Sequence, residues 1–404
     1  MTAAPAGNRP FDSTAVTSGR AAGHGSAPAR SIAIVHDWCP SFRGGERVLA
    51  EFCSMYPGSD VFTLFDFLSA DVKREHFPEV TFTTSIANRL PLVEKYYRAL
   101  FFMCPFLIEQ FDVTEHDAVI SSSAAFARGI ITRPDQPHLC YVHSPIRYAW
   151  DEQFSYLAQG RLGWGPKGFM FRRFLHKLRT WDTRTAHGPD LMLANSSYIR
   201  ARIKRIYGRD ARVVHPPVAT QEFKLVADKD DYYVTASFLA PYKRTDLVIA
   251  AFNELPGRRL LVVGEGQQSK SLRSLAGKNV TFTGYLPRAD YVKAVASAQA
   301  LVFAGCEDFG IALAEAQACG TPLIAFGRGG ARDIVQPLHG PEPATGMLFD
   351  RQSVEAVKAA IASFEAERSN ITPQACHHNA QRFSVERFRR QIAEAFDEVV
   401  AMHA

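Results

Sequence analysis

From residue 31 onward, short continuous apolar runs alternate with longer stretches in which apolar residues recur every three or four positions. The runs at 31–35, 118–121, 139–142 and 191–194 have strand length and carry no charge, the pattern of strands covered on both faces. The first leads through a Gly44-Gly45 turn to apolar residues at 48, 49, 52, 53 and 56, so strand, glycine turn and amphipathic helix form the first half of a βαβ unit. A second series follows, with strands predicted at 232–236, 260–263, 280–283, 301–303 and 321–326 and helices at 245–255 and 290–298. Strands that alternate with helices predict parallel sheets whose functional groups collect at the strands' carboxyl ends. The expected fold class is α/β, with two doubly wound, Rossmann-like domains.

Between the two series stand Pro216 and Pro217, which cannot extend a sheet and suit a stiff hinge. The predicted division is a first domain over 31–218, a polar linker over 219–231, a second domain over 232–379 and a closing segment over 380–404. That segment's apolar residues at 385, 388, 392, 396 and 399 predict a helix returning to the first domain. Residues 1–30 are rich in Ala, Gly, Pro and Ser without an apolar block, and read as a disordered tail rather than a signal peptide.

Composition narrows this only slightly. A chain of 404 residues with 47% hydrophobic content can bury two cores of ordinary size, and a net charge of +5 allows at most a local basic patch. Its seven cysteines form no C-x-x-C pair, which fits reduced thiols in a cytosolic protein. No apolar run approaches the ~20 residues that span a bilayer.

The chemistry gathers at strand ends. After the run that ends at Ala304 comes Cys306-Glu307-Asp308-Phe309-Gly310-Ile311, and Glu315 follows inside a small-residue helix, eight residues after Glu307. A buried strand leading into an acid, a glycine and a helix start offers free N–H groups to an anion. Gly44-Gly45 and Gly264-Glu265-Gly266 can bring backbone close to a phosphate or sugar, although neither is the G-x-G-x-x-G of a dinucleotide site. His143 and Asn195 stand at the ends of two predicted strands, and Lys243-Arg244 at the start of a helix.

Taken in order, these motifs resemble the retaining family-4 glycosyltransferases of GT-B fold, in which two such domains face a cleft. The acid, Phe-Gly-Ile and Glu spacing is similar to that family's E-x7-E motif. The resemblance implies that Glu307, Asp308 and the N–H groups of Phe309, Gly310 and Ile311 meet the donor sugar, and that Glu315 holds the ribose. Ser237-Phe238-Leu239-Ala240-Pro241-Tyr242-Lys243 resembles a Ser-Arg-Leu-x-Pro-x-Lys segment whose Arg and Lys neutralise the diphosphate. Lys243 is present, but Phe238 replaces the arginine, so the second charge is absent or comes from elsewhere, with Arg244 the candidate. Gly329-Gly330-Ala331-Arg332-Asp333-Ile334-Val335 resembles the family's Gly-Gly-x-x-Glu-Ile-Val. The opening His36-Asp37-Trp38 with Gly44-Gly45 resembles the O-antigen mannosyltransferase branch. The implied roles are catalytic for His143, Lys243 and Glu307, donor-binding for Gly44, Gly45, Arg244, Gly264, Asp308, Phe309, Gly310, Ile311 and Glu315, and acceptor-side for His36, Asp37, Arg147 and Asn195. No obligatory metal is expected, and no cofactor beyond the nucleotide-sugar donor.

The function this implies is transfer of a sugar, with mannose from GDP-mannose foremost, to a lipid-linked or saccharide acceptor in polysaccharide or glycolipid synthesis. The alternatives are another GT-B enzyme, such as a sugar-nucleotide epimerase or a phosphorylase, and a non-catalytic sugar-nucleotide sensor or membrane-docked scaffold. Residues 161–184 contain seven Lys or Arg, one acid and five Phe or Trp. Phe171, Phe174, Leu175, Leu178 and Trp181 share one helical face, with Arg172, Arg173, Lys177 and Arg179 off it. Such a helix either lies on an anionic bilayer or packs its stripe on the domain core. The expected location is cytoplasmic, with peripheral contact at the inner face of the cell membrane. Nucleic acid is not expected as a partner, since no binding module accompanies the charge.

Overall fold

The computed structural model describes residues 30–160 and 162–404. Except for Arg30, the tail expected over 1–30 lies outside the described residues, as does Arg161 of the basic segment. Two parallel sheets organise the rest. The first contains β1 (Ile32–His36), β2 (Asp60–Thr63), β3 (Thr81–Thr84), β4 (Ala118–Ser123), β5 (His138–Val142), β6 (Leu191–Ala194) and β7 (Arg212–Val213), in the order β3-β2-β1-β4-β5-β6-β7. The second contains β8 (Tyr233–Ala236), β9 (Leu260–Val263), β10 (Val280–Gly284), β11 (Leu301–Phe303), β12 (Leu323–Phe326) and β13 (Gly346–Phe349), in the order β10-β9-β8-β11-β12-β13. This is the doubly wound α/β architecture that the apolar pattern predicts.

Strand order locates the chemistry. In the first sheet the winding reverses between β1 and β4, where Val35 lies opposite Ser121; in the second it reverses between β8 and β11, where Val234 lies opposite Leu301. Reversal opens a crevice at the strands' carboxyl ends, because the crossovers on either side run in opposite directions. β1 ends at His36 and β4 at Ser123, whereas β8 leads into 237–243 and β11 into 304–310.

Central strands are wholly buried, including the three serines that end β4. Ile34 and Ile120 pack with Leu49 and Phe52 of the helix Gly44–Met55, and into the same core go Phe388, Ile392, Phe396 and Val399 of the last helix, Val385–Ala401. Val218 pairs with Ser384 in an isolated parallel bridge, so the chain passes from the first sheet to the second and back along adjacent paths. The stretch 219–231 is anchored: Phe223 is buried under the second sheet and Val226 N–H donates to Cys319 O at 3.1 Å.

The helix Pro166–Thr185 decides between the two expectations for 161–184. Leu175 and Leu178 are fully buried, and Phe171, Phe174 and Trp181 pack on the same core beside Phe101 and Phe126. Arg172 caps the carbonyls of Leu162, Gly163 and Gly168, and Arg179 bonds Ala149 O and Gln153 Oε1 at 2.9 and 2.6 Å. The stripe therefore packs inward, and half of the basic residues ascribed to a membrane face hold local structure instead.

Candidate active site

Both switch points open onto one cleft. Two adjoining cavities of about 550 and 1060 Å³ share Phe42, Arg43, Arg47, Ser237, Phe238 and Glu315 in their walls. Gly44, His143 and Asn195 from the first sheet's loops and Lys243, Glu307 and Asp308 from the second's complete the smaller one. Gly264, Gly266, Tyr285, Arg288 and Tyr291 line the larger.

The loop after β11 is shaped by two glycines. Gly310 has φ +100 before the helix Ile311–Ala318, and Gly329 has φ +75, where a Cβ would lie 2.1 Å from Glu307 O. Gly330 N–H then donates to Glu307 O at 2.9 Å, tying the Gly-Gly turn after β12 to the acidic loop. Phe309 is buried and its ring stacks on His215, with centroids 5.3 Å apart, so only its backbone is available to a ligand. Gly44 has no Cβ to block Ile311, whose Cδ1 would be 2.9 Å from one. Gly264 (φ +122) packs against Ser237 O, where a Cβ would lie 2.0 Å away.

Charge in the cleft is paired across it. The Lys243 ammonium bonds the Glu307 carboxylate, and burial, with Arg147 beside it, pushes that ammonium down to about 8. Arg147 ion-pairs with Asp308 and lies 3.5 Å from Glu152. Glu315, 5% exposed, accepts from Arg47 and Arg288 at 2.9 Å each and from the Tyr291 hydroxyl at 3.1 Å. Burial and this carboxylate raise the Tyr291 phenol well above its ordinary range, so it remains a donor. Burial, with His36 nearby, lowers the His143 imidazole to about 3; the ring is therefore neutral, with Nε2 2.8 Å from Ser122 Oγ. Asn195 donates to His143 O at 2.9 Å and so fixes the strand end that carries that ring. His36 lies beneath the glycine turn, where a Cβ on Gly45 would be 3.7 Å from its Cε1.

Two residues are not where the sequence reading puts them. Asp37 is buried, and its two oxygens accept the N–H groups of Ala124, Ala125, Phe126 and Ala127. It holds the loop after β4 and has no lone pair left for an acceptor. Arg244 adopts φ 53, which turns its side chain away from both cavities to Asp246, 3.2 Å away, so it does not supply the charge missing at Phe238. No local sequence pattern announces Arg43, Arg47, Arg288 and Tyr291, whose partners lie up to 268 residues away.

The chain matches two family models in succession, Glycosyltransferase Family 4 over residues 42–222 and Glycosyl transferases group 1 over 218–383. It is 32% identical over 197 residues to the GDP-mannose-dependent monoacylated alpha-(1-6)-phosphatidylinositol monomannoside mannosyltransferase of Corynebacterium glutamicum, covering 41% of this chain and 50% of that protein. It is 31% identical over 227 residues to the D-inositol 3-phosphate glycosyltransferase of Segniliparus rotundus, covering 49% of each. The match thus spans about half the length of these relatives. Among solved structures, sucrose-phosphate synthase from Thermosynechococcus elongatus superposes with a TM-score of 0.71 at 20% identity over 92% of this chain and 100% of that one. HepE of Anabaena, solved in complex with UDP and glucose, gives 0.66 at 19% identity over 91% and 99%.

Proposed function

We propose, from the premise that the chain belongs to the family-4 glycosyltransferases of GT-B fold, that it transfers a sugar from a nucleoside diphosphate to a hydroxyl with retention of configuration. The observation that carries this reading is the convergence of Lys243, Glu307 and Glu315 from one sheet with Gly44, His143 and Asn195 from the other on a single pair of cavities. As the glycosidic bond breaks, negative charge grows on the departing diphosphate and positive charge on the sugar carbon. Lys243 and the first amides of the helix Ile311–Ala318 are aimed at the former. Glu307 and the neutral His143 flank the place for the sugar, and Glu315 lies where the cleft widens to take ribose and base. When Lys243 turns to the diphosphate, Glu307 is released to accept from sugar hydroxyls.

GDP-mannose is the donor we propose and a lipid-linked hydroxyl the acceptor, since relatives are named for GDP-mannose and for phosphatidylinositol mannosides. No helix among the described residues is long and apolar enough to cross a membrane. With the stripe of 171–181 packed inward, the exposed apolar groups in and beside this segment are Phe154, Trp164, Phe169 and Met170, the most exposed being Trp164 at 82%. The exposed Lys167, Arg173 and Lys177 accompany them and favour an anionic surface. The test incubates purified full-length protein with radiolabelled GDP-mannose, UDP-glucose and UDP-galactose, with and without a cell lipid extract. Label in the lipid phase together with acceptor-dependent release of nucleoside diphosphate supports transfer; binding with no release under any pairing refutes it.

A further inference from the structure

Among the described residues, four Lys or Arg side chains line the two cavities; three of them have carboxylate partners, as does Arg147 beside the acidic loop. Lys243 is held by Glu307, Arg147 by Asp308, and Arg47 and Arg288 by Glu315. The fourth side chain in the walls, Arg43, lines both cavities and has no ion-pair partner among the described residues. Its backbone is fixed as the residue preceding the helix Gly44–Met55, where its N–H donates to Glu46 Oε2 at 2.9 Å. Its guanidinium reaches across to lie over the Phe238 ring, 5.4 Å from the centroid. Phe238 is the residue that stands where the resemblance implies an arginine.

We infer that Arg43 supplies the second positive charge to the donor diphosphate, with Phe238 as the platform that holds its guanidinium in place; this rests on the nucleotide-sugar reading above. The physical case has three parts. A guanidinium over an aromatic face keeps its N–H edge free, so stacking orients the fork without using the donors a phosphate needs. No carboxylate among the described residues is ion-paired with its guanidinium, so an incoming phosphate has no such partner to displace. Arg43 also stands immediately before Gly44 and the amino end of a twelve-residue helix, whose free amides favour an anion at the same place. A cation on β8's own loop is thereby replaced by one from the opposite wall, and the diphosphate is gripped between Arg43 and Lys243.

The test titrates GDP, UDP, guanosine and uridine by calorimetry into the parent, Arg43→Ala, Arg43→Lys and the double variant Arg43→Ala with Phe238→Arg. Loss of one charge-assisted contact should weaken diphosphate binding about tenfold or more in Arg43→Ala while leaving nucleoside binding at the parent value. Arg43→Lys should recover part of the loss, and Arg at 238 should restore it in the double variant. Parent-like diphosphate affinity in Arg43→Ala overturns the inference, as does equal loss for diphosphate and nucleoside, which would mark a structural role. A parent that binds neither GDP nor UDP overturns the nucleotide reading itself, and this inference with it.

Discussion

Replacing Glu315 by Gln tests the nucleotide end of the cleft. The exchange keeps the side chain's shape and one acceptor oxygen but removes the charge and turns an NH2 toward two guanidinium groups. In the donor-free protein three contacts already fall on this carboxylate, from Arg47, Arg288 and Tyr291. A carboxylate has about four lone-pair positions, so two ribose hydroxyls must displace at least one existing donor. The net gain is therefore an exchange rather than two new bonds. A hydrogen bond to a charged group contributes ~1.5–3 kcal/mol, and the displaced contact brings the expectation to the low end of that range. That corresponds to a rise in donor Kd of about tenfold. Fold stability should fall by about 1–3 kcal/mol, because Glu315 is buried and its partners lose a charged acceptor, while Arg47 and Arg288, each 39% exposed, keep part of their hydration. Calorimetry with GDP and GDP-mannose reads the affinity, thermal unfolding checks the fold, and turnover at saturating donor should fall much less than affinity. Unchanged donor affinity in a folded Glu315→Gln protein refutes the assignment of the ribose to this carboxylate.

Other outcomes follow from the same geometry. Lys243→Ala should lower kcat by ~100-fold or more, the loss seen when one preorganised electrostatic partner of a transition state is removed; near-normal kcat would assign that role to another cation. With its free-protein value near 8, the parent's Lys243 is charged below about pH 8 and neutral above, so donor affinity should fall as pH rises through 8 and that step should vanish in Lys243→Ala; a pH-independent affinity between 7 and 9 contradicts this. Asp37→Ala should destabilise the fold by about 3 kcal/mol or more, because several buried N–H groups lose their acceptor, and an unfolding midpoint equal to the parent's would show that the loop after β4 does not depend on it. Trp164→Ser with Phe169→Ser should reduce co-sedimentation with vesicles containing phosphatidylserine at low salt without changing GDP binding, and equal sedimentation would remove this face from membrane contact.

The parts of the fold legible in the sequence are those where burial leaves a continuous apolar run. β1, β5, β6, β9 and β11 lie inside sheets and carry no charge. β2, β3 and β13 escape such a reading for a physical reason: Thr81–Thr84 is an edge strand with alternate residues exposed and only one apolar member, and Gly346–Phe349 opens on a glycine. In the site, residues tied to strand ends were legible, because Lys243, Glu307 and Glu315 must follow β8 and β11 wherever those strands pair. Arg244 was misplaced because a left-handed backbone at one residue reverses its side chain, and nothing in Lys-Arg-Thr-Asp predicts that conformation. The stripe 171–181 was ambiguous because a core-facing helix and a bilayer-facing one share the same period. Only the presence of Phe101 and Phe126 opposite it, brought from more than 40 residues away, decides for the core.

The central claim is that one nucleotide sugar is held by both walls at once. A crystal structure of the protein with GDP bound tests it most directly. The account predicts the diphosphate between Lys243 and the facing Arg43, at the amides that open the helix Ile311–Ala318, with the ribose hydroxyls on Glu315 and at least one of Arg47, Arg288 and Tyr291 displaced from it. GDP found outside this cleft, or within it with Glu315 still bound by all three partners, would contradict it.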